Sequence, residues 1–438
     1  MNIDLLLCGR WVIPVEPGDT VLVDHAIAVN DGKIIDLLPT AEALNKYQAA
    51  DLQRLQTHAL IPGLINTHTH SPMTLFRGFA DDIPLMNWLN DYIWPAEQQW
   101  ISPGFVTDGT RLALAEMIRS GTTCFNDMYF FPEYTAEAAI EAGIRAVIGL
   151  ILVDFPSPWA QHPQEYLDKG EQVHDKFKHN PLIRTAFAPH APYTVSDAPL
   201  QKVATLAEEL DIQIHIHAHE TAHEITQSIE QHGKRPIRRL HELGLVSNRL
   251  VAVHMTQLQA EEIELIAKYG VHVVHCPESN LKLASGLCPV NELLTNGINV
   301  AIGTDGAASN NDLDMLGELH TAALLAKGVA GDCCAVPSWR ALQMATINGA
   351  RALAMDQHIG SLQPGKDADI VAIDLGGVEA RPLYDPISQI VYAGGRDQVS
   401  DVWVAGRRLL RDRELLTIDT EEIIARADEW QQRISVAR

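Results

Sequence analysis

The sequence predicts a (β/α)8 TIM-type barrel with a small β-sandwich domain formed by the N- and C-terminal segments. The middle of the chain repeats a short apolar run followed by a helical stretch, and eight such units are typical of a barrel. Several of the apolar runs end on histidine or aspartate, the position where barrels carry their active sites. Further strand-like runs lie at both ends of the chain and favour one small β domain.

The predicted barrel strands are β-branched or apolar runs bounded by polar residues, and the first of them is the apolar run of residues 60–65. Between the strands, apolar residues recur at helical spacing. The strands end near His68, Asp127, Asp154, His190, His217, His254, Cys276 and Asp305. The helices include residues 103–120, 198–209, 236–243, 260–269 and 290–296.

Outside residues 58–359, which form the predicted barrel, residues 1–57 and 360–438 are expected to build one composite β domain. Residues 26–35 contain two strand runs joined by an Asp-Gly turn, a strong hairpin signal. The tail offers matching strand runs at residues 368–373 and 402–406. Residues 420–436 look like a terminal helix.

Composition narrows the class of protein. The chain has 438 residues, of which 46% are hydrophobic, and no apolar run reaches the roughly 18 residues needed to span a bilayer. The N-terminus lacks a basic n-region and a small-residue cleavage site, so we expect no secretory signal. Six cysteines, with Cys333 and Cys334 adjacent, indicate reduced thiols and a cytoplasmic protein. The net charge of -23, without a basic stripe, argues against binding nucleic acid.

The segment that follows the first strand carries the clearest chemical signal. His68 and His70 are two residues apart, so in a strand their imidazoles share one face. Two converging neutral imidazoles suit a divalent metal such as zinc, which in catalytic sites lowers the pKa of bound water to about 7. A lone His-x-His pair often arises by chance, so the prediction depends on further ligands at other strand ends.

Two other strand ends supply such ligands. His217 ends the fifth predicted strand and Asp305 ends the eighth, and together with His68 and His70 they would form a five-coordinate zinc site with one water. Glu220 and His254 follow nearby strand ends and are candidates for acid–base work.

Other histidines compete for the same role. His215, His219 and His223 crowd His217, and two of them could replace it as ligands. His215 shares a face with His217 and would lie one layer down inside the barrel, where a hydrogen-bonded core histidine is expected. His272 and His275 near the seventh strand are also ambiguous.

The fourth strand limits the number of metal ions. Barrel hydrolases with two metals commonly bridge them by a carboxylated lysine there, but residues 183–195 contain no lysine and no glutamate. We therefore expect one divalent metal ion per subunit, zinc being the best fit. The chain also lacks the His-x-Glu and Pro-Cys-x-x-Cys signature of the cytidine-type zinc deaminases.

With these residues in view, the chain resembles the amidohydrolase superfamily and, within it, the methylthioadenosine/S-adenosylhomocysteine deaminases. The combination of Glu97, His190 and Glu220 is the more specific part of the signal. The resemblance covers nearly the whole chain and rests on residues 62–70 (PGLINTHTH), 94–97 (WPAE), 188–193 (APHAPY), 217–221 (HAHET), 275–280 (HCPESN) and 303–311 (GTDGAASNN).

The resemblance implies roles for the site residues. His68, His70, His217 and Asp305 would hold the metal, and Glu97 and His190 would contact a nucleoside. A carboxylate at Glu97 suits two ribose hydroxyls as a bidentate acceptor, although a solvated surface glutamate is the simpler alternative.

The implied mechanism concerns proton transfer around a substrate that Glu220 and Asp305 both contact. Asp305 would accept the proton of the attacking water, with His254 helping to orient that water. Glu220 would protonate the purine ring nitrogen as charge develops there.

Three functions compete at this point. The leading prediction is deamination of a small nucleoside of the adenosine type, by an enzyme without a nucleic-acid or membrane partner. The second keeps fold and zinc but acts on a free purine base or a triazine, as guanine deaminases and chlorohydrolases do. The third is a non-catalytic binding module. Such a relative is expected to have lost metal ligands, and this sequence has kept all four of them.

The wall facing the 5' substituent would come from residues 79–94 and 155–162. Residues 147–154 contain no arginine that could bind a substrate carboxylate, so the choice between methylthioadenosine, S-adenosylhomocysteine and adenosine stays open. The aromatic residues Trp88, Tyr92 and Trp94 would suit either a lid or a contact within a homo-oligomer.

Overall fold

The strands of the molecule fall into three groups along the chain in the computed structural model, which describes residues 1–436. The first group is β1 (Asn2–Val12), β2 (Leu22–Asn30), β3 (Lys33–Pro39) and β4 (Gln48–Pro62). The second is β5 (Leu64–Thr69), β6 (Thr122–Tyr129), β7 (Arg145–Leu152), β8 (Ile183–Pro189), β9 (Gln213–Ala218), β10 (Leu250–His254), β11 (His272–His275) and β12 (Asn299–Ile302). The third is β13 (Ile370–Asp374), β14 (Val399–Val404), β15 (Arg407–Arg411) and β16 (Glu414–Leu415).

Helices separate the strands of the second group, and further helices lie among and after the strands of the other two groups. They are α1 (Thr40–Lys46), α2 (Leu85–Asn87), α3 (Trp94–Trp100), α4 (Pro103–Arg119), α5 (Pro132–Ala142), α6 (Pro163–Phe177), α7 (Asp197–Leu210), α8 (Ala222–His232), α9 (Pro236–Glu242), α10 (Ala260–Tyr269), α11 (Pro277–Lys282), α12 (Val290–Thr295), α13 (Met315–Ala330), α14 (Ser338–Met344), α15 (Ile347–Ala352), α16 (Pro386–Ala393) and α17 (Thr420–Val436). Short 3-10 turns cover Ser71–Phe76, Val378–Ala380 and Arg396–Gln398, and a π-helical turn covers Trp88–Ile93.

The eight strands β5 to β12 form a parallel sheet in chain order that curls into a barrel. Strand β7 is buried along its whole length, as expected where helices cover one face of a parallel sheet and side chains fill the other. The barrel closes between β5 and the end of β12, where the Asp305 amide donates to the His68 carbonyl at 3.0 Å. This closure brings the first and last strand ends together.

The helices show why the sequence pattern locates them. In α7 the buried residues Leu200, Val203 and Ala207 recur every three or four positions, which gives one apolar stripe toward the barrel. Helix α10 begins with a capping box between Gln259 and Glu262 and ends at a glycine with positive φ.

The terminal segments build the predicted β domain, and its strands lie in one mixed sheet in the order β16-β15-β14-β13-β4-β1-β2-β3. The predicted Asp-Gly hairpin joins β2 to β3, with positive φ at both Asp31 and Gly32. Strand β4 runs straight into the barrel through Gly63. The predicted bounds of the two domains at residues 57/58 and 359/360 stay a prediction.

The eight predicted barrel strands and the five predicted helices are confirmed, but the prediction of one strand over residues 60–65 is wrong. The run is split at Gly63, so that Leu60 belongs to β4 of the terminal sheet and Leu64 to β5 of the barrel. A side chain at Gly63 would overlap the side chain of Thr123, which explains the glycine at this crossing. An apolar run shows burial but not which sheet buries it.

The described residues include no helix with the length and hydrophobicity that a membrane span requires.

Candidate active site

Four predicted ligands meet at the C-terminal ends of the barrel strands. His68 and His70 come from β5, His217 from β9 and Asp305 from the residues after β12, and one ligand atom of each lies within 4.8 Å of all the others. His68 Nε2 is 3.1 Å from His217 Nε2 and 3.3 Å from Asp305 Oδ1, while His70 Nε2 is 3.2 Å from the same oxygen.

These separations fit a single zinc ion. Zinc bonds of about 2.1 Å at tetrahedral or five-coordinate angles put neighbouring ligand atoms about 3 to 3.5 Å apart. The cluster therefore forms a site able to hold one divalent metal.

The remaining ring nitrogens of two ligands are held by backbone carbonyls. His70 Nδ1 donates to the Met128 carbonyl at 2.6 Å, and His217 Nδ1 donates to the His190 carbonyl at 2.7 Å. A carbonyl accepts only, so each ring carries a hydrogen on Nδ1 and turns Nε2, the nitrogen that a metal would bind, toward the cluster. Burial also lowers the pKa of His217 well below its usual range, which keeps the ring neutral.

His215, one of the alternative ligands, lies one layer down and contacts His68. Its Nε2 is 2.9 Å from His68 Nδ1, so it can accept the hydrogen that leaves His68 Nε2 free for a metal. His219 is buried outside the cluster, where its Nε2 accepts from the Ile237 amide, and His223 is exposed. Of His217 and its three competitors, the structure therefore brings only His217 into the cluster.

Asp127 supports the same corner of the site, although the sequence analysis gave it no role. Its carboxylate accepts the Thr69 hydroxyl at 2.8 Å and the Ser71 amide at 2.6 Å, on both sides of His70. Its position was a signal for a role at the site, because Asp127 lies at the end of the second predicted strand, where barrels carry active-site residues. The two ambiguous histidines near the seventh strand, His272 and His275, are half-buried and buried respectively, and both lie outside the cluster.

Backbone conformation at the site is unusual. His219, His254 and Asp305 have φ values of 53°, 75° and 65°, in the left-handed region that non-glycine residues rarely adopt. Each such residue costs on the order of 1–3 kcal/mol, and residues of this kind cluster at functional sites.

A cavity of about 380 Å³ opens over the ligand cluster. Its polar end is lined by His70, His190, His217, Glu220, His254 and Asp305. The rest of its wall is mainly apolar and aromatic, from Leu85, Trp88, Leu89, Ile93, Trp94, Ile101, Met128, Phe130, Ile151, Val153 and Phe155. This size and composition suit an organic molecule with one polar reacting end.

Glu220 and His254 face each other beside the cluster. Glu220 Oε2 lies 4.0 Å from His254 Nε2, and both side chains are almost completely buried. Burial raises the pKa of Glu220, partly opposed by the His254 ring. A carboxyl group with a raised pKa keeps its proton to a higher pH than usual, which favours a role as proton donor.

Glu97 projects from α3 into the cavity and is half-buried there. Removal from bulk water raises the pKa of its carboxyl group to about 7, and the neighbouring Tyr129 hydroxyl offsets part of this shift. Glu97 thus lies in the wall of the cavity that opens over the ligand cluster.

His190 lines the same cavity as Glu97, with its ring 4.9 Å from that of His217. Its Nδ1 is 3.1 Å from the Thr194 hydroxyl. Burial lowers the pKa of His190 to about 3, with the nearby histidines adding to the shift. The ring is therefore a neutral hydrogen-bonding group.

The two segments expected to form the cavity wall do so. Trp88 is buried and Trp94 half-buried, both lining the cavity, whereas Tyr92 is exposed. Phe155 packs its ring 6.0 Å from that of Trp94 across the opening. Two of the three aromatic residues thus belong to the cavity wall.

The amidohydrolase family model matches residues 59–409. A 5-methylthioadenosine/S-adenosylhomocysteine deaminase from Teredinibacter turnerae is 49% identical over 437 residues, covering 100% of this chain and 99% of that protein. The crystal structure of an adenosine deaminase from Xanthomonas campestris, with bound zinc, matches with a TM-score of 0.98 at 52% identity and covers 99% of both chains. Zinc-complexed atrazine chlorohydrolase from Arthrobacter aurescens matches with a TM-score of 0.90 at 25% identity, over 97% of this chain and 99% of that one.

Proposed function

The chain belongs to the amidohydrolase family, and on that premise we propose that it removes the 6-amino group of adenosine-type nucleosides, 5'-methylthioadenosine and S-adenosylhomocysteine among them. It is a metal-dependent hydrolase of the deaminase type. The products are the corresponding inosine analogue and ammonia.

One observation carries the choice of a nucleoside over a free base. Glu97 is a carboxylate enclosed in the same cavity as the ligand cluster, where it lacks the hydration of a surface glutamate. The two ribose hydroxyls of a nucleoside would satisfy it with charge-assisted hydrogen bonds. A free purine or a triazine has no vicinal diol and would leave the enclosed charge without a partner, which is costly.

In this proposal His68, His70, His217 and Asp305 hold the metal. Zinc held by these residues would activate a water molecule, whose pKa it lowers to about 7 in such sites, as the nucleophile at neutral pH. All other steps belong to side chains of the chain.

Asp305 accepts the proton of the attacking water, and His254 hydrogen-bonds to the same water and orients it. The water oxygen adds to C6 of the purine while Glu220 gives its proton to the ring nitrogen, where negative charge develops. The C6–N bond then breaks, and the proton held by Asp305 passes to the leaving amine. The proton still on the C6 oxygen returns to Glu220, which restores its carboxyl group and leaves the C6 carbonyl. Water and the aminopurine are thereby converted to ammonia and the 6-oxopurine.

The proposal places the enzyme in the cytoplasm, because four of its cysteines are buried as free thiols and two are exposed without a disulfide. In the proposal, the partner that the enzyme binds is the small nucleoside substrate. The net charge of -23 makes the backbone of a nucleic acid an unfavourable partner.

The direct test is ammonia release by the zinc-loaded protein with methylthioadenosine, S-adenosylhomocysteine, adenosine, adenine and guanine, measured side by side. The fall in adenine absorbance gives a second readout. We expect turnover of the nucleosides and not of the free bases. Turnover of the free bases alone would contradict the nucleoside assignment and favour the second function, on a base or a triazine.

A further inference from the structure

A short segment behind the active site contacts the three side chains that act in the proposed mechanism, namely the proton-transfer groups Asp305 and Glu220 and the water-orienting His254. The segment comprises residues 279–285, that is, the second half of α11 and the turn after it. Ser279, Asn280 and Ser285 are 0%, 1% and 4% exposed. None of them lines the cavity, so a substrate bound there would not touch them.

Ser279 fixes one side of Asp305. Its hydroxyl donates to Asp305 Oδ2 at 2.6 Å, while the Gly306 amide donates to Oδ1 at 2.8 Å. Because Oδ1 is the oxygen that faces His68 and His70, the serine holds the oxygen on the opposite side of the carboxylate. The plane of the carboxylate is thereby set from both ends.

Asn280 fixes the hydrogen on His254. The ring Nδ1 is 2.8 Å from Asn280 Oδ1, and an amide oxygen only accepts, so Nδ1 carries the hydrogen. The other nitrogen, Nε2, then turns an acceptor toward Glu220 and the cavity. An acceptor at Nε2 is what orientation of an attacking water requires.

Ser285 contacts the third group. Its hydroxyl donates to Glu220 Oε1 at 3.3 Å, and the opposite oxygen of Glu220 is the one that faces His254. The contact leaves this second oxygen directed into the site.

The segment is itself held in place. The Ser285 amide donates to the Asn280 carbonyl at 2.9 Å, and the Ser285 carbonyl accepts from Thr256 and Gln257. Gly286 follows with φ +139°, and a Cβ there would lie 2.3 Å from the Gln257 amide nitrogen. The close approach to the residues after β10 leaves little room for the segment to shift.

We propose that residues 279–285 are a positioning segment, which sets Asp305, His254 and Glu220 relative to one another although these come from the ends of three different strands. The inference rests on the proposed function, since it assumes that Asp305 and Glu220 move protons and that His254 orients the attacking water. Proton transfer needs heavy atoms about 2.6–3.2 Å apart, and a displacement of 1 Å can cost about 10²-fold in rate. A shared support holds all three distances at once, which separate strand ends would not do.

The test compares five variants with the wild-type, zinc-loaded enzyme acting on methylthioadenosine. Asn280→Leu removes the acceptor for His254, whereas Asn280→Asp keeps an oxygen in the same place. Ser279→Ala and Ser285→Ala remove the other two contacts. Ser120→Ala is the matched control, because Ser120 is equally buried and hydrogen-bonded but far from these groups.

We expect Asn280→Leu to lower kcat by about 10²-fold with KM changed little, and Asn280→Asp to recover most of that loss. Ser279→Ala and Ser285→Ala should lower kcat more than Ser120→Ala does. Zinc content should stay at the wild-type value in every variant. A fall in kcat that only follows loss of zinc, equal losses in Asn280→Leu and Asn280→Asp, or a rise in KM alone would each overturn the proposal.

Crystal structures of Asn280→Leu and Ser279→Ala give a readout that does not depend on turnover. The proposal expects the His254 ring and the Asp305 carboxylate to rotate from their wild-type positions, and unchanged side chains would contradict it. A wild-type enzyme that deaminates no nucleoside would sink the proposed function, while these structures would still test the positioning.

Discussion

Glu97 is the residue at which pH should control substrate affinity. Its enclosed position raises the pKa of the carboxyl group to about 7, so it is protonated below that pH and ionised above it. Only the ionised form can accept two ribose hydroxyls. We therefore expect kcat/KM for nucleosides to fall about tenfold for each pH unit below about 7, measured in initial-rate assays from pH 5 to 9.

Replacing the Glu97 carboxyl group should remove the fall in kcat/KM below about pH 7. Glu97→Gln stays neutral at every pH and loses a charge-assisted hydrogen bond, so kcat/KM should fall by about 10 to 100-fold at pH 8. Glu133→Gln is the control, because Glu133 is a half-buried glutamate on α5 that does not line the cavity. An acid limb near pH 7 that survives in Glu97→Gln would assign it to another group.

Glu220 should matter for the chemical step rather than for affinity. Its pKa is raised by burial, so it can carry the proton that the ring nitrogen needs, and glutamine cannot supply it. We expect Glu220→Gln to lose about 10² to 10⁴ in kcat with its zinc retained, since Glu220 is outside the ligand cluster. Stopped assays for ammonia measure kcat, and metal analysis measures the zinc content. Near-normal turnover in Glu220→Gln would contradict the role of Glu220 as proton donor.

At this scale the sequence could locate side chains but not all their partners. His68, His70, His217 and Asp305 were predicted to converge because the ends of barrel strands meet. The contacts of Ser279, Asn280 and Ser285 were not predictable, because they depend on how a short helix and its turn pack behind the site. Burial in the interior, which sets the pKa of Glu97, is likewise a property of the folded chain.

Among the elements, the junction of β12 and β5 decides whether the metal ligands meet. Gly303 lies at this junction, and a Cβ on it would be 2.7 Å from the His68 amide nitrogen. Gly303→Ala must therefore push the two strands apart and move His68 and Asp305. We expect a loss of about 1–3 kcal/mol in the free energy of unfolding and weaker zinc binding.

Thermal unfolding and zinc titration of Gly303→Ala test this expectation against Gly328→Ala. Gly328 is exposed on α13, where a Cβ would meet no other part of the chain within 4 Å. Alanine should therefore stabilise the helix at that position by up to about 1 kcal/mol. Zinc affinity equal in the two variants would mean that the junction tolerates a methyl group and does not set the site.

Element order was predictable because each barrel strand is a separate apolar run with a helix after it. The failure at residues 60–65 has a physical cause, since the end of β4 (residues 59–62) and all of β5 are buried and a single residue, Gly63, separates the two strands. The apolar residues on either side of Gly63 indicate burial but not that β4 and β5 belong to different sheets. The close approach of Gly63 to Thr123, where the chain passes from one sheet to the other, is visible only in the folded structure.

Over the whole molecule, Arg145 joins the barrel to the terminal sheet. Its Nε lies 2.8 Å from Asp369 Oδ2 and its Nη2 2.9 Å from Asp367 Oδ2, and the guanidinium is almost completely buried. Arg145→Met leaves the buried Asp369 carboxylate unpaired, so we expect a loss of about 3–5 kcal/mol in urea unfolding. Arg111→Met, which breaks an exposed pair with Glu141, should cost at most about 1 kcal/mol, and equal losses would contradict the role of Arg145.

The distribution of charge over the molecule predicts which nucleoside it prefers. Asp and Glu outnumber Lys and Arg by 56 to 33, and among the described residues that line the cavity there is no lysine or arginine. S-adenosylhomocysteine brings a carboxylate that would lose its water without gaining a cationic partner. The neutral methylthio group instead suits a wall rich in aromatic side chains.

We therefore expect kcat/KM for methylthioadenosine to exceed that for S-adenosylhomocysteine by about tenfold or more, the effect of about 1.4 kcal/mol. Phe155 lines the opening and is partly exposed, so Phe155→Arg would add a cation within reach of the bound carboxylate. It should narrow the preference, whereas Phe155→Gln, which removes the ring without adding charge, should not. Equal kcat/KM for both nucleosides in the wild type would show that the carboxylate stays in solvent, and the cavity's lack of cations would then have no part in specificity.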